Sequence, residues 1–457
     1  MISEKERTAG LWAITITQFS LVFMLSSVAV AVPSLGKEFG ATAAQLGLVE
    51  SGYIAAVTML LFPVTRLADM TGRGFIFAMG MAVFTTISLI LPLSESIEQF
   101  ILLRVFQGAG GAMMVTTGLA ILADLFTGQK RSMALGIASA GIYVGLSAGP
   151  WLGGIIASAM GWRAIFYISA IPCFLCLVVT IFALPVKPKR TPCPPFDWGG
   201  AILIAIGMVM LSQGGSLFDT TAGKIMLSVG IIALIAFVLW EKHVKAPLLD
   251  MTLIQTNHSF ALGSMVQFIS YASTFGVTFL LSLYLQIAQG MTPGQAGTIL
   301  MAQPLMQTLF SPISGKLCQR WAAHHIATVG MLLATAGLGA AIFVGDQATL
   351  WHILAILGLC GSGSAIFATA NTAVIMGAVE KEHYGIASAM VAGMRTTGMT
   401  ISLVFISAVL ASMVGPSDLH TESAPLFIKA MHLSFIVLTS FNVLGIVLSA
   451  RAKLKHQ

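Results

Sequence analysis

Charge is the scarcest thing in this 457-residue chain. Only 9% of its residues are Asp, Glu, Lys or Arg, against about 25% in an ordinary soluble domain. With 57% hydrophobic residues and a mean hydropathy of +0.91, too few polar groups exist to cover the apolar ones in water. A soluble enzyme, a nucleic-acid-binding protein and a disordered chain are all excluded. Cysteine is also sparse. There are five, an odd number, and Cys173, Cys176, Cys318 and Cys360 fall in or at the edge of apolar runs, so no disulfide framework is expected. The nine His residues show no ligand spacing, and no metal site is expected. No phosphate-cradling G-x-x-x-x-G-K-[ST] loop occurs either, which removes ATP as a direct fuel.

What is present is apolar sequence in long runs. A helix needs about 20 such residues to cross about 30 Å of hydrocarbon. Runs of that size predict helices near 11–33, 45–66, 75–94, 99–122, 132–157, 164–185, 198–217, 223–241, 260–288, 294–318, 326–344, 348–378, 384–413 and 427–450. The pair 198–217 and 223–241 either spans twice, giving fourteen helices, or lies at the interface, giving twelve. Both counts leave the termini on one side. The first run is too long for a signal peptide and reads as an uncleaved anchor. Most of the 23 Lys and Arg, among them Arg73, Lys130, Arg131, Lys187, Lys242, Lys316 and Lys453, fall on the side of the termini. The positive-inside rule makes that side the cytoplasm.

An internal repeat is visible. GIASA occurs at Gly136–Ala140 and at Gly385–Ala389. Leu67 in RLADMTGR matches Leu317 in SGKLCQRW, and Gly108 and Gly111 match Gly358 and Gly361. Three matches in order at nearly one offset of about 250 residues indicate a duplicated six-helix unit. The expected organisation is a six-helix bundle over 1–190, a linker with two extra helices over 191–250 and a second six-helix bundle over 251–457. The Pro- and Lys-rich stretch Val186–Pro195 marks the first boundary.

Several segments together resemble the major facilitator superfamily, in particular its fourteen-helix drug:proton antiporter branch. RLADMTGRG is similar to the signature G-x-L-A-D-R-x-G-R-R. Leu67, Ala68, Asp69, Gly72 and Arg73 match it, and Thr65, Met70 and Gly74 depart from it. LRVFQGAGGA is similar to an R-x-x-Q-G-x-G element. GIYVGLSAGPWLGG resembles the antiporter motif G-x-x-x-G-P-x-x-G-G, and FDWGG, SLYLQIAQGMTPGQAG and GMRTTG also look like this branch. The resemblance covers essentially the whole chain. It implies an all-helical membrane protein with two pseudo-symmetric bundles and an inserted pair. It further implies export of small drug-like amphipathic compounds in exchange for protons, across a bacterial-type inner membrane. It says nothing of the compound.

The residues carry readings of their own. Gly141, Gly145, Gly149 and Gly153 line one face of a helix, with Pro150 and Gly154 beside them. Small residues let a second helix approach, which suits either a moving seam between the halves or static packing. Asp69, Gly72 and Arg73 form a charged turn. By the resemblance it latches the halves, and by default it is a solvated surface. Arg104 lies inside a helix at a cost of roughly 2.5–3.5 kcal/mol unless it is paired. It either snorkels outward or works with Gln107 one turn deeper, and Arg395 holds a comparable place in the second half.

The branch typically has an embedded Asp near the end of its first helix, where this chain has Met24. Proton exchange would then fall to Glu50, Asp69 or Asp124. Glu50 is the first choice, with a solvated interfacial position as its alternative and pairing with Arg104 as a further possibility. Met24, Tyr143, Gln286 and Asn371 are candidates to line a substrate cavity with Arg104, Gln107 and Arg395; each polar one is equally able to bond a neighbouring helix. A cavity with two Arg and no central carboxylate suits neutral, zwitterionic or anionic solutes better than dications. No cofactor is expected beyond a proton gradient, no nucleic acid, and no partner beyond lipid and a small molecule, with the monomer as the working unit. The rivals are a uniporter or metabolite exporter of the same fold without proton coupling, and a non-transporting membrane receptor.

Overall fold

The computed structural model describes residues 4–126, 128–183, 196–244, 247–249, 251–318, 320–345, 348–380, 384–414 and 424–451. The linker segment Val186–Pro195 lies outside them. Every regular element among them is helical. The first bundle comprises α1 (Glu4–Phe39), α2 (Ala43–Thr71), α3 (Arg73–Ile90), α4 (Ile97–Leu125), α5 (Gly128–Met160) and α6 (Trp162–Ala183). Next come α7 (Trp198–Ser216) and α8 (Thr221–Glu241), followed by the short α9 (Met251–Thr256). The second bundle comprises α10 (His258–Thr274) continued by α11 (Gly276–Leu283), α12 (Pro293–Leu300) continued by α13 (Ala302–Leu317), α14 (Ala323–Ala341), α15 (Leu350–Gly377), α16 (Tyr384–Met413) and α17 (Ala424–Arg451).

Local chemistry sets the ends. Thr42 and Gln45 form a capping box at the start of α2, and Thr292 and Gln295 form another at α12, each satisfying two free N–H groups. Gly72 takes φ 107, a backbone that other residues rarely adopt, so α2 stops and α3 leaves in a new direction. The run 294–318, expected as one helix, breaks at Met301. Pro304 has no N–H to give to the carbonyl of Leu300 and its ring crowds that carbonyl. The run 260–288 ends in a π turn over Tyr284–Ala288.

Twelve helices among the described residues are long and apolar enough to cross a bilayer, by length and composition. They include both α7 and α8. The described apolar stretch of α5, Val144–Met160, is shorter, and α12–α13 is the interrupted pair. Large apolar side chains such as Phe174, Phe182 and Leu444 are exposed on the outer surfaces of the bundles, as a lipid-facing wall requires. The face that carries the ends of α1 and α17 is called the terminal face below, and the opposite one the far face.

The duplication is written in the packing. A Cβ on Gly110 would lie 2.9 Å from the carbonyl oxygen of Gly80 and 2.8 Å from the nitrogen of Phe84. On Gly363 it would lie 2.7 Å from the carbonyl oxygen of Gly330 and closer still to the nitrogen of Ala334. The α3–α4 contact thus recurs between α14 and α15. Likewise Gly108 meets the Tyr53 carbonyl and Gly361 the Gln303 carbonyl. This corrects the sequence match in α15. The counterpart of Gly108 is Gly361, three residues beyond Gly358, and nothing lies within 4 Å of a Cβ on Gly358.

Candidate functional site

The glycine stripe of α5 is where the two halves are most easily misjudged. Gly141, Gly145, Gly149 and Gly153 all face α1, meeting Thr15, Phe19, Ser26 and Ser27. They build a tight α1–α5 pair inside the first bundle, and do not face the second. The adjoining face makes the seam. A Cβ on Gly154 would lie 2.6 Å from the Pro293 carbonyl oxygen, and Gly297 abuts the Pro150 carbonyl. The Gly294 N–H donates to Ser158 Oγ at 2.9 Å. Ser282 Oγ donates to the Ala29 carbonyl at 3.0 Å, and Gln286 Nε2 to the Val30 carbonyl at 3.1 Å. All of these lie toward the far face. Gln286, read as lining a cavity or bonding a neighbouring helix, ties α1 to the second bundle.

Glycine packing also assembles the buried polar cluster. With Gly108 against the Tyr53 carbonyl, α4 lies directly on α2, and Arg104 arrives over the Tyr53 ring, 4.4 Å from its centroid. This is cation–π range. Arg104 Nε donates to the Val49 carbonyl at 3.2 Å, and Nη1 donates to Gln107 Oε1. Gln107 Nε2 donates to Ser88 Oγ at 2.7 Å, and Ser88 donates to the Phe84 carbonyl at 2.7 Å. One Arg thereby fastens α2, α3 and α4. Arg104 is 0% exposed, so the snorkelling alternative fails. By the repeat, Gln107 corresponds to Cys360 and Arg104 to Leu357, and the polar cluster belongs to the first bundle alone.

Glu50 follows Val49 on α2. It is 3% exposed, so the interfacial, solvated alternative also fails. Its Oε1 has no hydrogen-bond partner among the described residues, nor has Arg104 Nη2. No Glu50–Arg104 ion pair forms among the described contacts. A fixed cation and a titratable carboxyl thus share one buried cluster, each with an unused atom. Leaving such atoms unmatched costs more than an ordinary hydrogen bond returns, so the cluster can accept a proton, a water or a rearranged contact.

The other expected residues lie elsewhere. Met24 is fully buried in the core on the face of α1 shared with Leu21 and Val28; it offers no surface to a cavity. Asn371 donates to the Gly263 carbonyl at 3.0 Å and to Gln267 Oε1 at 2.8 Å, joining α15 to α10. Arg395 is half-buried on α16, between Gly393, which meets the Phe62 ring, and Gly398, which meets the Phe268 backbone. The side chains of Tyr143 and Asp69 lie outside the described residues. Arg73 pairs with Asp124 at 2.8 Å. This pair joins α3 to the end of α4 within one bundle. Asp124 is exposed and ion-paired, unlike Glu50. Tyr53 and Ser88 were not anticipated; the only hint was a polar residue at helical spacing in an apolar run. Two buried carboxyls, Asp197 and Glu241, were also missed, since both sit at helix ends that read as loop edges.

Two six-helix bundles closing on each other at one face, with a charged cluster buried between membrane helices, define a membrane transporter fold. The Major Facilitator Superfamily model matches residues 14–199 and 263–455, leaving out most of α7–α8, and the chain belongs to that family. It is 25% identical to the riboflavin transporter RibZ of Clostridioides difficile, over 92% of both chains. It is 29% identical to the multidrug resistance protein Stp of Mycobacterium tuberculosis, over 91% of this chain and 78% of that one. It is 28% identical to the tetracenomycin C resistance and export protein of Streptomyces glaucescens, over 85% and 73%. A crystal structure of a bacterial homolog of the human lysosomal transporter Spinster superposes with a TM-score of 0.68 at 16% identity, covering 98% of this chain and 97% of that one. The protein is a multi-pass membrane transporter of the major facilitator fold.

Proposed function

We propose that this transporter belongs to the fourteen-helix drug:proton antiporter branch and exports small amphipathic compounds across a bacterial plasma membrane against proton entry. The terminal face is the cytoplasm in this reading. Glu50 carries the proton and Arg104 senses its charge. The observation that carries the reading is Glu50 itself, a buried carboxyl with an unpartnered oxygen one residue beyond the carbonyl that holds Arg104. An ionised carboxylate in that position is expensive, and a bound proton removes the cost. Gain or loss of the proton changes how strongly α2 and α4 hold each other, and α2 packs against α16 of the other bundle through Thr58 and Thr400 at 3.4 Å. The inserted pair α7–α8 and the similarity to two resistance proteins support the branch.

The driving force is adequate. One charge moving through 100 mV supplies about 2.3 kcal/mol, roughly a fifty-fold solute gradient. With Arg104 sealed in the core, Arg395 is a charge that can meet a solute, which favours neutral, zwitterionic or anionic amphiphiles over dications. The decisive measurement is uptake into inverted vesicles with and without a collapsed pH gradient. Uptake that ignores the gradient removes the antiporter reading. It would favour the second reading, a metabolite transporter without proton coupling, for which the similarity to a riboflavin transporter speaks.

A further inference from the structure

The segment FDWGG builds the terminal-face end of the inserted hairpin. Asp197 caps α7. Its Oδ1 accepts the Gly200 N–H at 3.0 Å and the Trp240 indole N–H at 3.0 Å. Glu241 is the last residue of α8, and its Oε2 accepts the Leu249 N–H at 2.9 Å. The remaining oxygens, Asp197 Oδ2 and Glu241 Oε1, are buried without a partner among the described residues. They converge on one place. A Cβ on Gly200 would lie 2.5 Å from Asp197 Oδ2 and closer still to Glu241 Oε1. Gly199 clears space for the Trp240 ring in the same way. Both acids are more than nine-tenths buried, at 7% and 2% exposed.

No cation among the described residues pairs with either acid. Toward the terminal face, the charged or titratable groups on the neighbouring elements are Arg66 and Asp69 on α2, Lys242 and His243 just beyond α8, His258 at the start of α10 and Arg395 on α16; the side chain of Asp69, and Lys245 and Asp250, lie outside the described residues. Lys242 and His243 are exposed, Arg66 has an interaction of its own, and no ion pair to either acid is present among the described residues. Two carboxylates side by side in a buried place repel, and each lacks a donor. A single proton between Oδ2 and Oε1 turns two orphaned acceptors into one hydrogen bond.

We propose that Asp197 and Glu241 bind one proton between them, and that this proton clasps the ends of α7 and α8 to each other and to the chain at Leu249. Because α7 packs against both α2 and α16, one helix from each bundle, the clasp stands beside the seam along which the bundles move. The stability it adds is present at low pH on the terminal face. It is lost as pH rises and two like charges are left in contact.

The test is the melting temperature of the full-length protein in nanodiscs between about pH 6 and about pH 9, the range in which buried carboxyls are known to titrate. Wild type should lose melting temperature as pH rises. Glu241→Gln should flatten that slope, because its amide N–H donates to Asp197 Oδ2 as the shared proton does. Asp197→Asn should do the same from the other side. The double variant sets two amide N–H groups against each other and should melt below either single one. Infrared spectra should show one more protonated carboxyl in wild type than in Glu241→Gln. Equal pH slopes in wild type and both single variants would overturn the proposal. So would a double variant as stable as the singles, failure of both singles to fold, or melting that follows added Na⁺ or Ca²⁺ instead of pH. None of these readouts uses transport, so they stand or fall apart from the antiporter reading.

Discussion

Arg104 lies with its guanidinium over the ring of Tyr53, 4.4 Å from the centroid, at the point where Gly108 brings α4 onto α2. The same side chain reaches back along α2 to Val49 and along α4 to Gln107. Three helices of the first bundle therefore depend on one buried cation.

Arg104→Ala should be strongly destabilising. It strands the buried Gln107 oxygen and removes the cation from the Tyr53 face, and leaving a buried polar group without its partner costs about 1–3 kcal/mol. Arg104→Lys keeps the charge but loses the fork that serves Val49 and Gln107 together. It should fold and transport poorly. Thermal melting and vesicle flux of the two variants check this, and equal melting of Arg104→Ala and wild type would contradict it.

Glu50→Gln should retain the fold, since an amide replaces a carboxyl of the same shape. Downhill exchange should persist while uphill uptake driven by a pH gradient is lost. The dependence of wild-type exchange on vesicle pH should flatten in the variant. Gradient-driven uptake that survives in Glu50→Gln would move the proton site elsewhere.

The two faces of α5 should separate stability from cycling. Gly149→Ala and Gly153→Ala press on Ser26 and Ser27 of α1 within one bundle, and should lower the melting temperature. Gly154→Ala presses on Pro293 across the seam. It should leave melting near wild type while making a cysteine placed at Ser158 easier to label from the far face. Labelling unchanged from wild type would count against the seam assignment.

Register in the second bundle can be tested with three glycines. Gly361→Ala and Gly363→Ala should destabilise by the amounts typical of overpacking, about 1–3 kcal/mol, because backbone from α13 or α14 fills the space. Gly358→Ala should be neutral or slightly stabilising, since the site is open and alanine is the better helix former. Comparable losses at Gly358 and Gly361 would restore the register suggested by the sequence match.

Much of this architecture was legible in the amino acids. Apolar runs of bilayer length located the helices, since a membrane admits few other structures. The repeat was visible because duplicated helices keep small residues where backbones touch. The break at Met301 was readable from Pro304 and was passed over. Arg104 and Gln107, one turn apart, were bound to face the same way. The seam stayed open between moving contact and static packing, because a glycine stripe shows that something approaches closely, without showing which helix does so. The place of Met24 was open for a similar reason: its distance from Pro33 sets its depth, while its direction depends on how α1 is rotated.

Residue order alone therefore settled that the chain lives in lipid, crosses it many times and was built by doubling one unit, because each follows from transfer energies and periodicities that act along a single stretch of chain. Which polar atoms meet was settled only when the helices packed. Val49, Tyr53, Ser88 and Arg104 come from three helices, and Asp197 and Glu241 from the start of one helix and the end of the next. Their meeting depends on helix rotation and depth to within an ångström or so, and those are set by close backbone approach at glycines far apart in the chain.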